Sequence, residues 1–267
     1  MTLAQLLINT SLIFYAISAG IFLQAFPNRN KANTMLPAFA HWTFLAATAF
    51  ISSGIALHIF EAHAQPLSGL ILVFCISWIT IFGSFFLSMP MTGTFVAPTC
   101  TAILLFYLFL TPNRMIESES YVSLASAHIF MAILGEAFAI CACAISIVFL
   151  IQSRALKRKQ YGWLTGSITP LDTLDRALLL SLWAGFFFIT LGLISGAIYT
   201  QTANTLPKMR LTGKIIWALS VWLWYLTILL SRNIFKLSER RIAQMSMIGF
   251  LLLSISFFGL VRWGENP

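Results

Sequence analysis

Long apolar runs separated by short polar gaps recur along the whole chain. A transmembrane helix needs roughly 20 mostly apolar residues to cross about 30 Å of hydrocarbon. That ruler predicts eight spans: Leu3–Phe26, Ala38–Ile59, Leu67–Ser88, Gly93–Leu110, Ser126–Ile151, Ala177–Tyr199, Ile215–Leu230 and Ile242–Val261. Met89-Pro90-Met91-Thr92 divides the third from the fourth, since one helix covering both would be too long. The first run lacks a basic n-region and a small-residue cleavage site, so it reads as a retained span rather than a signal peptide. Small residues gather on single helix faces, with Gly192 and Gly196 in the sixth run and Gly135, Ala139 and Cys143 in the fifth. Such faces let helices approach closely where lipid supplies no hydrophobic drive. The expected fold is all-α: a polytopic integral membrane protein forming a single transmembrane domain over residues 1–267.

Composition agrees with a bilayer as solvent. Only 9% of residues are charged and 59% are hydrophobic, whereas soluble domains carry about a quarter charged residues. In water, this chain would expose large apolar patches. The net charge of +8 does not point to nucleic acid, because the lysines and arginines occupy short gaps and form no basic stripe interleaved with aromatics. Their placement instead reports topology. With the N-terminus outside, the inner loops hold Arg29, Lys31, Arg154, Lys157, Arg158, Lys159, Arg176, Arg232, Lys236, Arg240 and Arg241. The outer segments hold Arg114, Lys208, Arg210, Lys214 and Arg262. Both termini are therefore expected outside, in the periplasm of a Gram-negative cell. The largest extramembrane piece, Gln152–Arg176, is too short for an independent domain.

Few residues could carry chemistry. Cys75, Cys100, Cys141 and Cys143 lie within apolar runs, and the Cys141–Cys143 spacing is not the C-x-x-C of thiol oxidoreductases. No nucleophile–base pair, phosphate loop or zinc-binding helix motif stands out, so enzyme activity has no positive support. The four histidines separate by depth: His41 and His58 lie about 25 Å apart along one helix and cannot share a site. His58, His63 and His128 all fall near the outer surface and could meet. Neutral imidazole is a common axial ligand of haem iron, while histidines at helix ends are also simply tolerated there. Glu136 is the carboxylate deepest within a predicted span, and an intramembrane acid normally faces protein or a cavity. It lies about 12 Å below His128 and is rotated by about 80° from it, so direct contact between them is not expected. Lys214, Trp217, Trp222, Trp224 and Tyr225 crowd the start of the seventh run, where an interfacial aromatic anchor is the default reading.

Several stretches in order then resemble one family. Leu171-Asp172-Thr173-Leu174 leads into Thr190-Leu191-Gly192-Leu193-Ile194-Ser195-Gly196-Ala197, and Lys214-Ile215-Ile216-Trp217-Ala218-Leu219 opens the following run. With Ala127-His128-Ile129 and Leu134-Gly135, these segments are similar to the cytochrome c assembly family from about Ser126 onward. The better-studied branches of that family hold haem at an outer tryptophan-rich loop, the WWD motif, flanked by histidines. The resemblance implies that His128 matches the outer histidine before that motif, and that Lys214 and Trp217 match its end. It also implies maturation proteins of cytochrome c as partners, with thiol reduction supplied by another chain. Residues 205–213 lack the motif's tryptophans and aspartate, no histidine follows His128, and Leu230 replaces an intramembrane histidine. Glu136 stands where a tyrosine is usual. This pattern resembles the small, HemX-like members with a degenerate motif. The expected function is binding or handling haem at the outer face of the bacterial inner membrane, with His128 and His58 (or His63) as iron ligands. The alternative is a haem-free transporter or scaffold subunit, with Glu136 lining a polar path.

Overall fold

A computed structural model describes residues 3–25, 35–62, 68–86, 96–97, 99–105, 124–159, 170–203 and 208–263, and all regular structure among them is helical. The long helices are α1 (Leu3–Ala25), α2 (Met35–Ala62), α3 (Ser68–Phe86), α4 (Leu124–Lys157), α5 (Leu171–Ala203), α6 (Lys208–Asn233) and α7 (Glu239–Trp263). Residues 96–97 and 99–105 are also helical, within the fourth expected run. Helix is the natural solution in lipid, because hydrocarbon offers no partner to a free backbone N–H or C=O. Among the described residues, five helices are long and apolar enough to cross a membrane: Leu3–Ile21, Ala38–Phe60, Ala127–Lys157, Leu171–Ile198 and Ile215–Asn233. A shorter apolar helix spans Leu70–Gly83. The chain is a multi-pass helical membrane protein. It divides into two compact units, Met1–Tyr121 with Arg154–Thr173, and Val122–Ser153 with Leu174–Pro267.

In the first unit, α1 and α2 pack antiparallel along much of their length. A Cβ at Gly54 would lie 2.9 Å from the Ile8 side chain and 3.3 Å from the Ala4 carbonyl oxygen, so only glycine permits this approach. At the other end of the pair, the Ser18 hydroxyl donates to the Ala40 carbonyl at 2.9 Å. Tyr15 ties in further elements: its hydroxyl lies 2.6 Å from Ser77 Oγ on α3 and 3.4 Å from Thr48 Oγ1 on α2. Ser77 Oγ lies 3.9 Å from Cys100 Sγ in turn. Thr48 and Ser77 also donate to the carbonyls of Phe44 and Val73 one turn back, so each hydroxyl satisfies itself locally as well.

The second unit is built on a close antiparallel crossing of α4 and α5. Along it Gly196 faces His128, Gly192 faces Ala132, Gly135 faces Ile189 and Gly185 faces Phe138. A Cβ at Gly135 would fall 2.8 Å from Ile189 Cγ1 and 3.2 Å from its backbone nitrogen. The small faces read from the sequence thus pack against the partner helix, where dispersion contacts between close backbones replace the hydrophobic drive. On the outward side of α5, Leu180, Trp183, Phe187 and Ile194 form an exposed apolar stripe at helical spacing, as a lipid-facing surface requires. Helix α6 joins α5 through Trp222, whose indole N–H donates to Thr190 Oγ1 at 2.9 Å while its ring stacks on Phe186. Near the far end of α6, Arg232 pairs with the buried Asp175 of α5.

Helix α6 ends with Lys236 in the left-handed region, at φ 47°. The Leu237 N–H reaches back to the Ser231 carbonyl at 3.2 Å, which satisfies a terminal carbonyl that the helix itself cannot. The Ser238 carbonyl then accepts from the amides of Arg241 and Ile242 and starts α7.

The helices outrun the apolar spans. Helix α5 starts at Leu171 rather than Ala177, and α6 starts at Lys208 rather than Ile215. Residues 201–213, expected as an outer loop, are therefore mostly helical: α5 continues to Ala203 and α6 resumes after Pro207. Hydropathy marks where hydrocarbon ends, while a helix continues until its backbone is capped. The packing of its aromatics corrects their reading as an anchor: Tyr225 is fully buried, and Trp222 bonds Thr190 and stacks on Phe186, so both serve helix–helix packing rather than an interfacial belt.

Candidate functional site

His128 sits in the second turn of α4, half-buried, where the α4–α5 crossing begins. Gly196 makes room for its ring: a Cβ there would fall 2.8 Å from Cε1 and 2.9 Å from Nδ1 of the imidazole. One turn along α5, the Gly192 carbonyl oxygen lies 2.7 Å from His128 Nδ1. A carbonyl can only accept, so Nδ1 carries the proton and donates. In the neutral ring that tautomer leaves the lone pair on Nε2. Ligating histidines are held in this way, with one ring nitrogen tied to a backbone carbonyl and the other presented to a metal.

Trp217 belongs to the same end of the unit. Trp222 bonds to Thr190, and the two helices run antiparallel. Trp217, five residues toward the start of α6, therefore lies about 7.5 Å nearer the level of Gly192 and His128. The indole Nε1 of Trp217 is buried and has no hydrogen-bond partner among the described residues. A buried N–H without an acceptor is costly, and it fits a site meant to receive an acceptor from outside the chain. Lys214 lies within α6, but its side chain lies outside the described residues. His63 also lies outside them. His58 belongs to the first unit, half-buried in the last turns of α2. Among the described residues, no group of three or more His, Cys, Asp or Glu is arranged to hold a metal.

Glu136 is buried, at 8% exposure, two turns deeper on α4. It follows Gly135, which packs on Ile189, so it stands near the level of Thr190 and Trp222 and away from His128. The expected separation of these two groups along α4 therefore holds. At the level of Glu136 lies a residue read from the sequence as an anchor: Tyr225, fully buried one turn beyond Trp222 on α6. The four cysteines are buried thiols outside any disulfide, as their apolar settings led one to expect.

Comparison with known proteins places this geometry in a lineage. The family model described as Cytochrome C assembly protein matches residues 61–266, which takes in the whole second unit and begins well before Ser126. The cytochrome c biogenesis protein CcsA of Chlamydomonas reinhardtii is 27% identical over 183 residues, covering 66% of this chain and 50% of that protein. CcsA of Atropa belladonna is 26% identical over 162 residues, covering 50% of each chain. CcsA of Thermosynechococcus vestitus is 30% identical over 99 residues, covering 37% of this chain and 31% of the relative. The chain thus spans about half the length of the first curated relatives it matches. No solved structure matches.

Proposed function

Because the chain belongs to the cytochrome c assembly family, we propose that it receives and holds haem at the His128 end of its second unit for cytochrome c maturation. The observation that carries this reading is the 2.7 Å bond from His128 Nδ1 to the Gly192 carbonyl, which fixes the ring and leaves the Nε2 lone pair to serve as a ligand. The unpartnered indole N–H of Trp217 supports it, since the carboxylates of haem are acceptors of the kind that group needs. Lys214, three residues before Trp217 on the same helix, is the cation proposed for the same carboxylates. Bound haem would supply the group that an apocytochrome receives, and a separate thiol reductant is needed because this chain carries no C-x-x-C.

The same reading places the protein in a bacterial inner membrane with the His128 end outside. Arg176, Arg232, Lys236, Arg240 and Arg241 collect at the opposite end of the second unit, the arrangement that the positive-inside rule favours for a cytoplasmic face. The degenerate motif supports reading the chain as one of the HemX-like members. The test is spectroscopic. Protein expressed in haem-replete cells and purified in detergent should show a Soret band that His128→Ala abolishes and His41→Ala leaves in place. A wild-type protein without that band, or a band indifferent to His128, refutes haem ligation here.

A further inference from the structure

Three polar groups in the centre of the second unit lie at one level on three different helices. Tyr225 on α6 and Ser246 on α7 are both 0% exposed, and Glu136 on α4 is nearly as buried. The register follows from contacts independent of these groups. A Cβ at Gly249 would fall 2.9 Å from the Trp224 ring and 3.4 Å from the Tyr225 ring, and Trp224 Nε1 donates to the Met245 carbonyl at 3.1 Å. Ser246 lies between those two α7 positions, so it stands beside Tyr225. On the other flank, Gly135 packs on Ile189 of α5, and the neighbouring Thr190 bonds Trp222, one turn from Tyr225. Glu136, next to Gly135, therefore stands at the level of Tyr225.

Neither Tyr225 Oη nor Ser246 Oγ has a hydrogen-bond partner among the described residues. Ser146 and Ser195 of the same unit, by contrast, donate to carbonyls of their own helices. Two hydroxyls and a carboxyl on three helices, with no bonds among the hydroxyls, supply the two to four polar partners that a buried water requires. In a bilayer, groups that find no internal partner have no bulk water to turn to.

We propose that Glu136, Tyr225 and Ser246 line a buried water site that links the carboxyl to the two hydroxyls and gives it a route for proton exchange. The site lies about 12 Å along α4 from His128, so it is distinct from the proposed haem site and does not depend on it. Infrared spectroscopy of the purified full-length protein in detergent tests it directly. The Glu136 vibration, identified by its loss in Glu136→Gln, should shift on transfer to D2O. It should shift again in both Tyr225→Phe and Ser246→Ala. Both substitutions should also lower the thermal unfolding midpoint, because each removes a water ligand. A Glu136 band unchanged in either variant, or a midpoint raised by removal of an orphan hydroxyl, overturns the proposal. A band that depends on whether sodium or potassium is present also overturns it, in favour of a monovalent cation site.

Discussion

Each unit of this protein buries one tyrosine completely, and the two are treated in opposite ways. Tyr15, in the first unit, has two hydroxyl partners on two other helices. Tyr225, in the second, has none among the described residues, although a buried carboxyl and a buried serine lie near it. A satisfied hydroxyl at a helix junction is a fastener: it fixes the register of α1, α2 and α3 and leaves nothing for a ligand to bind. Unpartnered groups in the second unit, Tyr225, Ser246 and Trp217, mark places where the chain by itself does not complete its hydrogen bonding. The oriented His128 lies in that unit too. The contrast lies between these positions rather than in a rule for whole units: His41 Nδ1 of the first unit is also unpartnered among the described residues, and the second unit has fasteners of its own in Trp222–Thr190 and Arg232–Asp175.

The largest effects that would break this comparison come from the close helix crossing. Gly135→Leu should separate α4 from α5 and cost more than the ~1–3 kcal/mol usual for overpacking, since backbone as well as side chain must move. The check is unfolding in detergent, where Gly20→Ala, with open space at its Cβ, serves as the control. Next comes Arg232→Met, which strips a partner from the buried Asp175 and should cost about 1–3 kcal/mol, measured the same way. A smaller loss, about 1–2 kcal/mol, is expected for Tyr15→Phe, which removes bonds to Ser77 and Thr48. Tyr225→Phe should cost less than Tyr15→Phe in the same assay; an equal or greater loss would erase the contrast between the units. Gly196→Ala sharpens the comparison from the other side. Its methyl must displace the His128 ring, so the global midpoint should fall only modestly while any His128-dependent Soret band weakens or shifts. The smallest effect is that of Gly20→Ala itself, neutral or stabilising by at most about 1 kcal/mol through helix propensity.

Much of the fold was legible because lipid imposes one-dimensional rules. An apolar run long enough to cross hydrocarbon must be helical, so the spans at Ala38, Ser126 and Ala177 all fall within observed helices. The small faces at Gly135 and Gly192 were legible for the same reason, since close approach needs residues without bulk. The ends were less so: Leu171–Arg176 and Lys208–Gly213 are polar enough to read as loops, yet they continue helices beyond the apolar run. His128 could be named as a candidate from its place at a helix end and from family resemblance. Its partner could not, because a backbone carbonyl carries no signature in the sequence. Trp222 and Tyr225 were misread as an interfacial belt, since an aromatic cluster looks the same whether it anchors at a membrane surface or fills a helix interface.

By itself, the amino-acid sequence determined that the chain is helical and membrane-spanning, which faces are small, and how its ionisable groups are spaced along each helix. Each follows from residue type and spacing measured against a bilayer of given thickness. Only the tertiary structure decided which ring nitrogen of His128 is tied to Gly192, that Gly196 cradles the ring, and that Tyr15 is satisfied while Tyr225 and Ser246 are not. Those outcomes depend on the register between neighbouring helices. Register is set by side-chain volumes meeting across an interface, a quantity that no single run of sequence contains.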